Sequence, residues 1–305
     1  MKATNILFAF SLVLASSLAS HAQVGIGTST PNASSVLDVS STTKGFLPPR
    51  LTAAQRDAIT SPAVGLVIFN TSTNCLNFYN GFWFETCGSP VYLSGSIFCA
   101  SGVTAVVDVT NPTTSKIWMD RNLGASQVAA SSTDTLSYGS LYQWGRSSDG
   151  HQCRYSSTTA TLSSVDQPAH GNFILAPNTP FDWRSPQNNN LWQGVNGDNN
   201  PCPSGYRIPT EAELNAERAS WSSQNNLGAL ASPLKLPMPG TRYNYNGSFV
   251  DVGTGGYYWG STVKTIQDMG GSYTGSSYLY FSSSGGAYMA DDKRASLFSV
   301  RCIKN

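Results

Sequence analysis

Six cysteines, Cys75, Cys87, Cys99, Cys153, Cys202 and Cys302, constrain the fold of this chain more than any other feature, because of what precedes them. Lys2 gives a short positive start and Ile6 to Leu14 form an apolar run. Ser20-His21-Ala22 then places small residues at the positions a signal peptidase reads. This is the pattern of a secretory signal over residues 1–22, cleaved before Gln23. The run is short for a membrane span, which needs about 20 apolar residues. Gln23, not a cysteine, stands immediately after the cleavage point, so a lipoprotein is not expected, and no second long apolar run argues for a membrane-embedded mature chain. In an oxidising compartment an even set of cysteines reads as a disulfide framework.

Two pairs can be argued. Cys75 and Cys87 flank the stretch NFYNGFWFET, whose Asn80-Gly81 is a strong hairpin-turn signal, and folding about it brings them almost opposite each other. Near residue 300, alternation puts Phe298, Val300 and Cys302 on one face of a strand and Ser299 and Arg301 on the other. Cys302 therefore points with the core residues, and Cys202, just before a helix signal, is its candidate partner. Cys99 and Cys153 are left over by elimination, which does not by itself pair them.

Only 11% of the residues are charged, against about 25% in an average globular protein. Eighteen Lys and Arg balance seventeen Asp and Glu, and no basic stripe of the kind that meets nucleic acid is present. The solvated surface must be built from Ser, Thr, Asn, Gly and Tyr, as in extracellular β-rich proteins. Apolar residues at 40% suffice for a core.

Residues 23–90 carry few apolar residues, in short bursts. Thr52 and Gln55 have capping-box spacing and predict a helix over Leu51–Ile59, after Pro48-Pro49 has blocked any earlier start. Strands are expected over Gly65–Asn70 and Leu76–Phe84. A piece of this size with a thin core is marginal alone. Gly25-Ile26-Gly27 lacks the preceding strand and following helix that a nucleotide-binding loop requires. The stretches VGIGTSTPNASSVLDVSSTTKGFLPPR and NTSTNCLNFYNGFWF resemble the N-terminal necks of trimeric fibre and surface proteins of Bacteroidota and phages. That resemblance implies a homo-oligomer, a trimer, held through residues 23–90. A loose spacer is the other reading.

From about Gly95 alternating apolar segments appear, and loops dominate from there to about residue 200, with Trp144, Trp183 and Trp192 as pegs onto a core. Thr210 and Glu213 form a second capping box, with Leu214, Glu217 and Trp221 continuing a helical pattern. Strands are expected at Tyr257–Thr262, Tyr278–Phe281 and Leu297–Ile303. The motifs WMDRNLGAS, LYQWGR, NPCPSGYRIPTEAEL, YYWGST and SLFSVRCIK resemble the Fibrobacter succinogenes major paralogous domain over residues 95–305. The resemblance implies an α+β, C-type-lectin-like domain on a secreted or surface-attached bacterial protein. It also implies structural roles for Pro209, Trp118 and Trp259, and a Cys202–Cys302 bridge. Gly260 departs from it, since the family commonly has Ser there.

Catalytic chemistry is hard to place. After removal of the signal only His151 and His170 remain, both in loop contexts that read as surface or capping histidines. No G-x-S-x-G, H-E-x-x-H or C-x-x-C motif occurs. Glu213 and Glu217 share a helix face that capping and solvation explain. A cysteine-dependent enzyme would need a free thiol. Asn196-Gly197-Asp198-Asn199-Asn200 is an oxygen-rich loop, which makes Ca²⁺ a candidate ligand, but a bidentate Glu at useful spacing is missing. No other cofactor is expected, and the chain is read as a non-enzyme.

The segment 241–294 is dense in Tyr, Ser and Gly. If Leu279 and Phe281 enter the core, Tyr278 and Tyr280 are displayed on the opposite face. Tyr243, Tyr245, Tyr273, Tyr278, Tyr280 and Tyr288 then form a binding face, with Asp291, Asp292 and Arg294 at its rim. Rigid tyrosine rings among Ser and Gly are the chemistry of antibody loops. The expected function is recognition or adhesion to an extracellular protein or glycan. A structural subunit of a surface layer or fibre is the alternative, and a secreted enzyme the remote one.

Overall fold

A computed structural model describes residues 23–305 except 73, 82, 86–91, 93, 94, 269 and 270. The expected signal segment and Cys87 lie outside the described residues. The chain divides into two compact units, one ending at Gly88 and one spanning Ser89–Asn305.

In the first unit β1 (Val24–Ile26) and β2 (Leu37–Val39) run parallel, with Val24 opposite Leu37 and Ile26 opposite Val39. Residues paired across neighbouring strands share a face, so these four apolar side chains form one patch. All four are exposed, by 42–55%. A second sheet joins β3 (Arg50–Leu51), β4 (Val67–Asn70), β5 (Cys75–Tyr79) and β6 (Trp83–Glu85) in that order. The helix α1 (Ala53–Asp57) follows β3 and starts with the expected capping box of Thr52 and Gln55. It is shorter than predicted because Leu51 is drawn into β3, where it pairs with Asn70 of β4. The core is thin. Asn70 and Asn77 are fully buried, and the Asn77 amide oxygen accepts from Asn70 Nδ2 (3.1 Å) and Arg56 Nη1 (2.9 Å). Meanwhile Val36, Phe46, Leu47 and Val64 are 68–81% exposed. Cys75 is disulfide-bonded, and its expected partner Cys87 is not among the described residues.

The second unit begins with short strands: β7 (Asp108–Thr110), β8 (Ile117–Met119), β9 (Tyr142–Gln143), β10 (Thr158–Thr159), β11 (Phe173–Ile174) and β12 (Tyr206–Arg207). Two helices follow, α2 (Glu211–Ala219) and α3 (Asn226–Ala231). Then come β13 (Thr241–Arg242), β14 (Phe249–Val250), the long β15 (Gly255–Asp268) and β16 (Gly271–Ser282), β17 (Ala287–Asp292), β18 (Leu297–Phe298) and β19 (Ile303–Lys304). The sheets have the orders β12-β19-β8-β7, β14-β13-β18-β9 and β15-β16-β17, with β10 and β11 a parallel pair.

The expected α+β, C-type-lectin-like class is overturned. Among the described residues the structure is 9% helical and 28% strand, with the strands spread over many small sheets. Ser, Thr, Asn and Gly favour caps, turns and loops over helix interiors, so few segments can nucleate a helix. Where the local signal is complete the helix forms. Thr210 caps α2 in the expected box with Glu213, and Arg207 clamps the Glu213 carboxylate at 2.7 Å. Glu217, expected on a solvated face, is instead fully buried, accepting from Asn111 Nδ2 (2.5 Å) and Trp221 Nε1 (3.1 Å).

The tryptophans act as pegs. Trp144, Trp183, Trp192 and Trp259 are all at most 1% exposed. Their indole N–H groups each donate to a loop or strand carbonyl: Gly260, Trp144, Asn199 and Tyr142 respectively, at 2.7–3.0 Å. Trp118 is also in the core. Gly260 is explained by its neighbour, because a Cβ there would lie 2.8 Å from Ser277 Oγ.

The strand expected over Leu297–Ile303 is split in two, and both its faces are buried. Residues between β18 and β19 bond to several elements: Ser299 N donates to Tyr257 O, Leu123 N to Val300 O, and Met119 N to Cys302 O. Cys302 is bonded to Cys202, with Cα atoms 5.9 Å apart, and Cys99 to Cys153 at 5.4 Å. Arg301, expected on an outer face, is 2% exposed, and its guanidinium donates to Asn122 Oδ1, Met119 O and Leu234 O.

Candidate functional site

The three-stranded sheet brings tyrosines into a row. Tyr257 of β15, Tyr280 of β16 and Tyr288 of β17 are direct cross-strand partners. Their rings follow one another at 5.0 and 5.1 Å between centroids. The row rises from half-buried Tyr257 and Tyr280 to Tyr288 on the edge strand, which is 52% exposed. On the reverse face Leu279 and Phe281 are fully buried, as alternation requires. Gly256 has no room for a side chain, since a Cβ would meet the Phe281 ring at 2.3 Å.

Tyr278 is half-buried, as Tyr257 and Tyr280 are, and faces the same side of the sheet. Its ring lies 4.7 Å from Phe298 and 6.2 Å from Trp259, so one side of it packs against the core, as one side of Tyr257 does at 5.1 Å from Phe298. Burial pushes its phenol pKa up. The alternation is as expected, and β18 packs on this part of the tyrosine face without covering it completely.

The other predicted site residues fall into separate places. Tyr243 and Tyr245, 37% and 53% exposed, pack on each other at 5.3 Å beside the β13–β14 turn. Tyr273 packs on Phe181 at 5.0 Å, where the Lys293 ammonium sits 4.0 Å from the Phe181 ring centre. Asp291 is exposed and Asp292 half-buried on β17. Arg294, expected at the rim, is fully buried. It pairs with Asp182 at 3.6 Å, donates to Asn189 Oδ1 at 2.7 Å and lies 4.1 Å from the Trp144 ring centre. A guanidinium two residues past an edge strand turns inward because a buried carboxylate and an indole face await it.

His151 is also placed differently from its sequence reading. It is fully buried, not a surface or capping residue. Nδ1 lies 2.6 Å from Asp149 Oδ1, and Nε2 accepts from Gln143 N at 3.0 Å. Burial, with Arg146 beside it, lowers its pKa to about 4, so the ring is neutral near pH 7. With both nitrogens engaged it braces the loop after β9. His170 is exposed and accepts from Asn172 N. In the oxygen-rich loop the amides fasten the backbone: Asn199 Nδ2 donates to Gly145 O, and Asn200 Nδ2 to Tyr206 O, each at 2.9 Å. Among the described residues no group of three or more His, Cys, Asp and Glu side chains is arranged to hold a metal ion.

A cleft that the sequence reading did not anticipate opens beside the Cys99–Cys153 bridge. It encloses about 420 Å³ and is lined by Cys99, Leu136, Cys153, Arg154 and Tyr155, with Ser101, Ser126, Ser140 and Ser156 among its smaller residues. The only signal for it in the sequence is Cys153-Arg154-Tyr155, a cation and an aromatic ring tied to a bridge within charge-poor loops.

A family model described as a phage tail-like trimerisation region matches residues 25–101. The match supports residues within the first unit as a region through which copies of the chain associate. No curated protein matches the chain, no solved structure does, and none of the comparisons returns the domain family that the motifs of residues 95–305 resemble. Among the described residues no helix is long and apolar enough to cross a membrane, and the two described disulfides are consistent with an extracellular protein.

Proposed function

We propose that this is a secreted recognition protein, in which a neck gathers copies of the chain, as a trimer, and the second unit binds an extracellular protein or glycan. The observation that carries the reading is the row Tyr257–Tyr280–Tyr288, which ends on an exposed ring above a backing of fully buried residues. A tyrosine held on a stiff strand offers contact area at little entropic cost, and interface energy concentrates in such anchors. Joining copies through the neck multiplies a modest contact into avidity. The motif resemblance to a family of bacterial surface proteins agrees with the location but names no ligand.

The test is a binding screen of the mature protein against glycans and surface proteins, repeated with Tyr288→Ala and Tyr245→Ala. Affinity for the ligand found should fall about tenfold in at least one variant. Undiminished binding in both would place the site elsewhere. The second reading, a structural subunit of a fibre or surface layer, draws on the exposed apolar face of β1 and β2 and the trimerisation-region match. It predicts self-assembly beyond the trimer and no hit in the screen. A secreted enzyme remains the remote alternative.

A further inference from the structure

We infer that the cleft beside the Cys99–Cys153 bridge is a binding site for a small amphipathic anion: an aromatic or aliphatic body carrying one carboxylate or sulfonate. It stands on elements other than the tyrosine row and does not depend on the recognition reading.

The apolar half of the argument is shape and lining. A volume of about 420 Å³ lies within the range of small-molecule sites, roughly 300–1,000 Å³. The bridge and Leu136 give it apolar walls, and Tyr155 stands at the cleft 90% exposed. The neighbouring serines are spent within the protein: Ser101 Oγ donates to Gly124 O at 2.6 Å and Ser156 Oγ to His151 O at 2.8 Å. A ligand body here therefore gains chiefly from leaving water.

The charge half comes from two guanidinium groups. Arg154 lines the cleft, donates to Pro239 O at 2.9 Å and lies over the Phe249 ring at 5.1 Å. Its Nη1 is buried without a hydrogen-bond partner. Arg242, immediately behind the lining, lies over the same ring at 5.3 Å and donates to Gly247 O and to Ser156 O and Oγ. All these acceptors are neutral. No carboxylate among the described residues pairs with either arginine, and burial and mutual repulsion lower the pKa of Arg242. Elsewhere in the same unit Arg146 and Arg294 have acidic partners, Asp149 and Asp182, while Arg301, outside the cleft lining, is held by three neutral acceptors. Two uncompensated cations beside an apolar cleft favour an anion on an apolar body.

The probes are 8-anilinonaphthalene-1-sulfonate and N-phenyl-1-naphthylamine, which share a body and differ by the sulfonate. Each is titrated by fluorescence into the full mature protein. The anionic probe should bind at least tenfold more tightly. Ser126→Trp, which fills the cleft, should abolish that tight phase, leaving any weaker adsorption to the exposed neck residues. Arg154→Met should erase the anion preference while the neutral probe still binds, and Arg154→Lys should retain it. Circular dichroism and melting temperature report whether each variant folds. If Arg154→Met does not, raising salt on the wild-type protein takes its place, and should weaken the anionic probe alone. Equal affinities for the two probes, or tight binding that survives Ser126→Trp, would overturn the proposal.

Discussion

Asp149 and His151 hold each other in place, with carboxylate oxygen and imidazole Nδ1 2.6 Å apart and the ring fully buried. Because burial and then Arg146 lower the His151 pKa from 6.5 to about 4, the unfolded chain takes up a proton at a pH where the folded one does not. Stability is therefore complete above about pH 6.5 and is lost progressively as pH falls toward 4, by on the order of 3 kcal/mol. Thermal melts between pH 7.5 and 5, above the main carboxylate range, should show a falling Tm in the wild type and a flatter profile in His151→Gln. Parallel profiles would assign the loss to other groups.

The Cys202–Cys302 bridge closes a loop of 100 residues. Chain-entropy arguments give such a bridge about 4–5 kcal/mol, and native bridges are typically worth roughly 2–5. Cys202→Ser should lose that amount in chemical denaturation. A loss below about 1 kcal/mol would mean that packing around Cys302 holds the core without it.

Tyr278 and Tyr288 should part company on mutation. Tyr278→Ala removes a ring packed on Phe298 and Trp259 and should cost about 3 kcal/mol. Tyr288→Ala removes a half-exposed ring and should cost less than about 1 kcal/mol. Melting of the two single variants decides, and equal losses would mean that the contacts of Tyr278 with Phe298 and Trp259 contribute little.

The full mature chain should scatter light as a trimer, and Ile26→Asp combined with Leu37→Asp should dissociate it. Both residues lie on the exposed apolar face of β1 and β2. A monomeric wild type at micromolar concentration would return the neck to a simple spacer.

Signals held within a few residues were legible. Thr52 with Gln55 and Thr210 with Glu213 gave both capping boxes, and Leu279 with Phe281 gave the buried face of β16. What depended on distant partners was not. Tyr278 alternates as a surface residue would, and the approach of Phe298 covers part of it. Arg294 and Glu217 read as solvated charges until Asp182 and Asn111 arrive from far along the chain. His151 sits in a stretch with every mark of an open loop, and its burial follows from the closing of β9 over it. The lectin-like class failed for a related reason. It was borrowed from scattered motifs, whereas helix content is set by the Ser-, Thr- and Gly-rich chain between them.

The placement of β18 and β19 sets an order of events. β19 lies between β12 and β8, and β18 between β13 and β9, so two sheets of the second unit have central members drawn from residues 297–304. Synthesis delivers that segment after nearly all the rest of the unit. Until it arrives, β12 has no bridge to β8, β13 none to β9, and Cys202 is still without Cys302. The unit is thus kept from locking until one late segment fastens it. A chain cut short by ten residues would be missing the fastener, and should be recognised as unfolded by proteases rather than accumulate as a slightly weakened version of the whole.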